Sequence, residues 1–172
     1  FIYRGVFGTQ KKGGVINNAF NLNLKNIANT HVIKLGDELL ALWEAAGPHS
    51  LDPNNLETNG LTTLKGVLKK NEAFSAHPKV DFNSNSADEV LITFGVQTGP
   101  TSTIRLMEFS NSGKNAGQIL FDRKDKLKGF AFLHDFAITT NWAIFLQNAI
   151  DFNPLPFVMG QNCLLYTSDA AD

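Results

Sequence analysis

Short runs of apolar and β-branched residues, each closed by turn formers, set the rhythm of the chain. Thr30-His-Val-Ile-Lys-Leu35 and Leu39-Leu-Ala-Leu-Trp43 flank Gly36-Asp37, the pattern of a tight hairpin. Leu39, Leu40, Leu42 and Trp43 fit a helical period as well as an alternating one, and strand is preferred because Gly36-Asp37 follows a clear strand. Val90–Phe94 and Thr103–Phe109 read as further strands, and Asn111-Ser-Gly-Lys114 turns the second into Gln118–Phe121. Phe130–Ile138 and Ala143–Gln147 read as a pair around Thr139-Thr-Asn-Trp142. Leu61–Lys70 reads as a weak helix or a connecting arm, and the polar segments Gly47–Asn55 and Asp81–Asp88 are placed on the outside. The expectation is an all-β chain of antiparallel hairpins, for which periodicity leaves a sandwich, a barrel and a β-propeller open.

The 172 residues hold about one domain's worth of chain. A net charge of −1 offers no electrostatic case for binding nucleic acid or an anionic surface. Fourteen phenylalanines are the stronger bias, serving either a Phe-rich core or the wall of an apolar cavity. No apolar run approaches the length of a spanning helix, about 20 residues. Cys163–Asp172 back-translates into a transposase-type library adapter, so residues 1–162 are expected to be the native chain and 163–172 an adapter-derived artefact. This removes the only cysteine. With Phe1 standing where an initiator Met would be, the chain reads as an internal piece of a longer protein.

The four histidines sit in different settings. His77 precedes Pro78, which biases it toward an extended backbone and so fixes where its ring leaves the chain. His134 lies within the apolar stretch Gly129–Thr139, where a neutral imidazole must satisfy both ring nitrogens in the core or coordinate a metal. His49, in a Gly-Pro-His-Ser turn, reads as solvated, and His31 can face either way. Glu44 follows an apolar run, so it is either a surface strand end or an acceptor for the N–H of a metal-bound imidazole.

Phe7-Gly-Thr-Gln-Lys11, Asn26-Ile-Ala-Asn-Thr30, Leu40-Ala-Leu-Trp-Glu44, Ser75-Ala-His-Pro-Lys79 and above all Phe132-Leu-His-Asp-Phe-Ala-Ile-Thr139 resemble the carotenoid cleavage oxygenases. The resemblance runs in order from about Phe7 to Gly160 and is greatest to the bacterial apocarotenoid-cleaving type. It implies a seven-bladed β-propeller, of which residues 1–162 would form roughly the first two or three blades. It further implies an iron(II), Fe(2+), held by four histidines and supported by outer glutamates. His77 and His134 match two ligands and Glu44 matches one glutamate, with the other two ligands expected beyond Asn162. Thr30 matches a threonine that shapes the oxygen site, and Phe7 and Trp43 match aromatics near the substrate tunnel, although ordinary strand and core roles compete for all three.

The implied reaction is dioxygen cleavage of a conjugated double bond in a carotenoid or apocarotenoid, giving two carbonyl products. Four neutral imidazoles leave the full charge on the metal and can leave positions free for O2. In stilbene-cleaving relatives a lysine tends to precede the glutamate, and here that residue is Trp43, which favours a polyene. A phenolic stilbene substrate, a retinoid isomerase on the same scaffold and a non-catalytic binding propeller remain the alternative readings. An apolar polyene comes from a membrane, so the expected location is the cytoplasm or the membrane periphery. The apolar, Pro-broken segment Phe152–Gly160 is the candidate doorway, with packing under further blades as its equal alternative.

Overall fold

The computed structural model describes residues 26–70, 72–82, 89–99, 101–152 and 165–167. Two four-stranded antiparallel meanders dominate it. The first runs β1 (His31–Leu35), β2 (Glu38–Leu42), β3 (His49–Leu51) and β4 (Thr58–Leu61), in that order across the sheet. The second runs β5 (Lys79–Phe82), β6 (Glu89–Gln97), β7 (Thr103–Ser110) and β8 (Ile119–Lys126). A two-stranded ladder of β9 (Phe136–Ile138) and β10 (Ala143–Phe145) follows. This succession of four-stranded meanders is the blade order of a β-propeller.

The Gly36-Asp37 hairpin forms as its sequence requires, with Leu35 paired to Glu38 and Gly36 at φ +59°. Along β6 and β7 side chains alternate between two cores. Leu91, Met107 and Phe109 join Leu35, Leu40, Leu42, Leu64, Leu68 and Phe74 on one face. On the other, Phe94 and Ile104 join Leu133 and Phe136, with Ile92, Leu106 and Phe145 packed against them. Phe94 meets Phe136 and Phe145 edge-on at 5.2 and 5.1 Å. A strand buried on both faces gives a nearly unbroken apolar run, which is how Val90–Val96 of β6 reads, whereas Arg105 and Glu108 interrupt β7.

Several elements depart from the sequence expectation. Within Gly47–Asn55, placed outside, His49–Leu51 forms a strand because the open edge of β2 supplies its ladder, and Pro48 beside it is fully buried. Phe130–Ile138 is a strand only from Phe136. Gly129 turns the chain at φ +62°, and the backbone before β9 is tied instead to Ser102, whose Oγ accepts from the Ala131 N–H at 2.9 Å. Of the two forms expected for Leu61–Lys70, the chain takes the connecting arm, with Leu64, Lys65 and Gly66 all at positive φ. Leu165–Thr167 pairs with β11 (Ile150–Phe152) as a further strand. Asn83–Asp88 of the second polar segment and all of the candidate doorway beyond Phe152 lie outside the described residues. Among the described residues no helix is long and apolar enough to cross a membrane.

The backbone of the arm comes closest to the second sheet at Ala73 and Ser75. The Ser75 N–H donates to the Phe94 carbonyl at 2.6 Å, and the next residue, Gly95, lies so close to Ala73 that a Cβ there would overlap the Ala73 carbonyl oxygen. Below this crossing, Arg105 forks onto both Asp122 oxygens at 2.8 and 2.7 Å and reaches Glu72 at 2.8 Å. Lys124 also meets Glu72, at 3.1 Å. Burial pushes the Glu72 carboxyl up, but the Lys69 N–H, Lys124 and Arg105 outweigh it and hold it below its ordinary value. The Arg105 fork does the same for Asp122.

Gly95→Ala is therefore expected to cost the intact protein about 1–3 kcal/mol, the usual penalty of overpacking. Chemical denaturation measures it, and unaltered stability would mean the arm can move off β6 at no cost. Both carboxyls titrate lower in the folded state, so their contribution is present above the ordinary values of 4.5 for Glu72 and 3.8 for Asp122 and is lost as pH falls through the lower folded values. Denaturation midpoints should hold steady down to about pH 5 and fall below it. Arg105→Met should make that acid limb shallower.

Candidate metal centre

His77 and His134 reach one point from different directions. His77 ends the arm, immediately before β5, and its own N–H donates to Ser75 Oγ at 3.0 Å. His134 ends the irregular segment before β9. Their Nε2 atoms stand 3.1 Å apart, with the rings edge-on at a centroid distance of 4.5 Å. Glu44, in the turn after β2, places Oε1 3.0 Å from His134 Nδ1. The first sheet, the arm and the segment before β9 each contribute one of the three groups.

The chemistry of this trio follows from donor and acceptor roles. An ionised carboxylate only accepts, so the Glu44 contact puts the proton on His134 Nδ1 and leaves a lone pair on its Nε2. That lone pair faces His77 Nε2, and two facing lone pairs repel unless a proton or a cation lies between them. A separation near 3 Å is what two imidazole nitrogens adopt at right angles around a divalent ion about 2.0–2.2 Å from each. The Glu44 side chain is 11% exposed against 59% for His134, so the carboxylate backs the ring from the protein side. Its Oε2 is buried with no partner among the described residues, an arrangement that favours positive charge nearby. The donor set thus fits a divalent metal. Among the described residues no group of three or more His, Cys, Asp or Glu is arranged as ligands, so this chain presents two nitrogens and one outer carboxylate.

A further tie joins the two histidine segments. Lys79, two residues past His77, meets Asp135, next to His134, at 2.8 Å. Burial raises the Asp135 carboxyl, and the Lys79 ammonium and the Phe136 N–H more than reverse that, holding it below its ordinary value. Both side chains are at least one-third exposed, so the pair contributes only about 0–1 kcal/mol to stability. Sequence reading passed over this pair, although both residues stand in the blocks around the two histidines.

The other expected residues fall as follows. Thr30 is exposed, and its N–H donates to Leu42 O at 3.1 Å, extending the β1–β2 ladder by one bond. Trp43 is half-buried beside Glu44. Phe7 lies outside the described residues. His49 is not solvated: it pairs with Ala41 and Leu61 in β3, and its Nδ1 is buried without a partner among the described residues. His31, which could face either way, lies beside the site, its ring stacked on His77 at 6.4 Å.

Comparison with known proteins follows the same lines. The family described as Retinal pigment epithelial membrane protein matches residues 1–170. The apocarotenoid-15,15'-oxygenase of Synechocystis is 46% identical over 161 residues, 92% of this chain and 32% of that protein. Resveratrol cleavage oxygenase 1 of Botryotinia fuckeliana is 34% identical over 68% of the chain and 20% of its own length. The cobalt-substituted structure of the Synechocystis oxygenase superposes with a TM-score of 0.82 at 42% identity, covering 97% of this chain and 35% of that one. The chain spans about a third of the length of the Synechocystis relative.

In the intact protein stripped of metal, His134 should carry its proton on Nδ1, the minority tautomer of free histidine, as nitrogen chemical shifts would report. Glu44→Ala should return it toward the Nε2–H form. A parent protein already in that form would remove Glu44 from the site.

Proposed function

The chain belongs to the carotenoid cleavage oxygenase family, and we propose from this that the complete protein is a non-heme iron dioxygenase that cleaves a carotenoid or apocarotenoid. The observation that supports it most is the convergence of His77 and His134 at 3.1 Å with Glu44 behind the second ring. His77 and His134 would hold the ion through Nε2, and two further ligands would come from blades outside residues 1–162. Bound iron(II) supplies activation of O2, one atom of which ends on each carbonyl product of the cleaved double bond.

The residues of this chain prepare that event without a separate general base. Glu44 holds His134 in the tautomer that can ligate and balances charge from outside the coordination sphere, leaving ligand positions free. Thr30 stands just before β1, and its methyl group would narrow the approach of O2. Trp43 and Phe7 would line the tunnel with apolar surface, as a polyene requires. Trp43 also stands where a phenol-anchoring lysine would serve a stilbene, so the polyene is preferred to the resveratrol-type substrate of the fungal relative. Trp142, Ile144 and Leu146, exposed on and beside β10, support the reading of residues 1–162 as the first blades of a longer propeller, since the next blade would cover them. Contact with a membrane surface would deliver the substrate.

In the complete protein, His77→Ala or His134→Ala should remove most bound iron and nearly all cleavage of an apocarotenoid into two carbonyl products. Glu44→Gln should cost less, about 10–100-fold in metal affinity or activity. Cleavage that survives loss of both histidines would overturn the iron site. Faster turnover of a hydroxystilbene than of any apocarotenoid would overturn the substrate.

A further inference from the structure

We propose that His31 is a positioning residue that sets the direction of the His77 ring, an inference that rests on the metal-site reading above. His31 opens β1, and its Nδ1 lies 2.9 Å from the Ala76 carbonyl oxygen, 45 positions along the chain. A carbonyl only accepts, so Nδ1 carries the proton and donates. That carbonyl belongs to the Ala76–His77 peptide unit, whose N–H is the one held by Ser75 Oγ at 3.0 Å. Both polar ends of a single planar unit are therefore pinned, one from the first sheet and one from the arm. Pro78 restricts the dihedral on the far side of His77. What remains free is rotation about the bonds of the His77 side chain. Against that rotation stands the His31 ring itself, stacked on His77 at 6.4 Å with 28° between the planes.

The contact is not needed to hold β1 in place. His31 is exposed, and its backbone is already registered against Leu42. Its hydrogen bond and its stacking partner both lie in the segment that presents His77.

The test uses the complete protein, loaded with cobalt(II), with three substitutions and a control. His31→Asn keeps a donor where Nδ1 stands, His31→Phe keeps the ring without the donor, and His31→Ala keeps neither. Cobalt affinity by chelator competition, the visible spectrum of the bound ion and the melting point of the metal-free protein are measured for each. His31→Ala and His31→Phe should weaken cobalt binding about 10-fold, the lower end for a group outside the ligand set, and shift the spectrum. His31→Asn should restore the affinity to within about threefold, and all should melt with the parent. The control is His77→Ala. If it loses the metal while every His31 variant binds with the parent's affinity and spectrum, the positioning role is wrong and the site stands. If His77→Ala itself binds cobalt as the parent does, the site reading fails and this inference with it. An affinity loss matched by a lower melting point and not repaired by His31→Asn would make His31 a general structural residue and overturn the proposal.

Discussion

The two central strands of the second sheet, β6 and β7, pack against apolar residues on both faces, and the position of every candidate ligand depends on that. Strands β6 and β7 send Leu91, Met107 and Phe109 into one core and Phe94 and Ile104 into the other. The first core carries β2, whose end presents Glu44, and the arm, whose end presents His77. The second carries Leu133 and Phe136, which bracket His134. Each fully buried Leu or Phe side chain contributes about 1.5–3 kcal/mol, and the many of them in the two cores together outweigh the few polar contacts at the site. The site is assembled by apolar packing at a distance, and its polar contacts adjust what packing has brought together.

Charge is handled in two different ways on either side of this sheet. Around Arg105, two carboxylates and a lysine form a closed ionic network in which each charge has an opposite neighbour. Around His77 and His134 the pattern is left open: two imidazoles face each other, and the Glu44 carboxylate touches the outer nitrogen of His134. A buried carboxylate oxygen without a partner and two convergent nitrogens are a costly combination unless a positive charge completes it. The Lys79–Asp135 pair adds little stability, but it links the two histidine segments one and two residues beyond the rings.

The sequence by itself determined the hairpins whose turn chemistry is local. Gly36-Asp37 and Thr139–Trp142 announce their turns because the residues that bend the chain also satisfy its backbone: the Thr139 N–H donates to the Trp142 carbonyl at 2.8 Å. It also singled out His77, His134 and Glu44, through residue blocks characteristic of one family and the awkward placing of a carboxylate after an apolar run. Tertiary structure alone decided the rest. His49–Leu51 is a strand only because the edge of β2 lies open beside it, and residues 130–135 are not one because they pair with no strand among the described residues; ladder partners are not a local property. The meeting of two nitrogens 57 positions apart, and the approach of His31 to the carbonyl before His77, depend on how sheets pack face to face, which no alternation along one strand encodes.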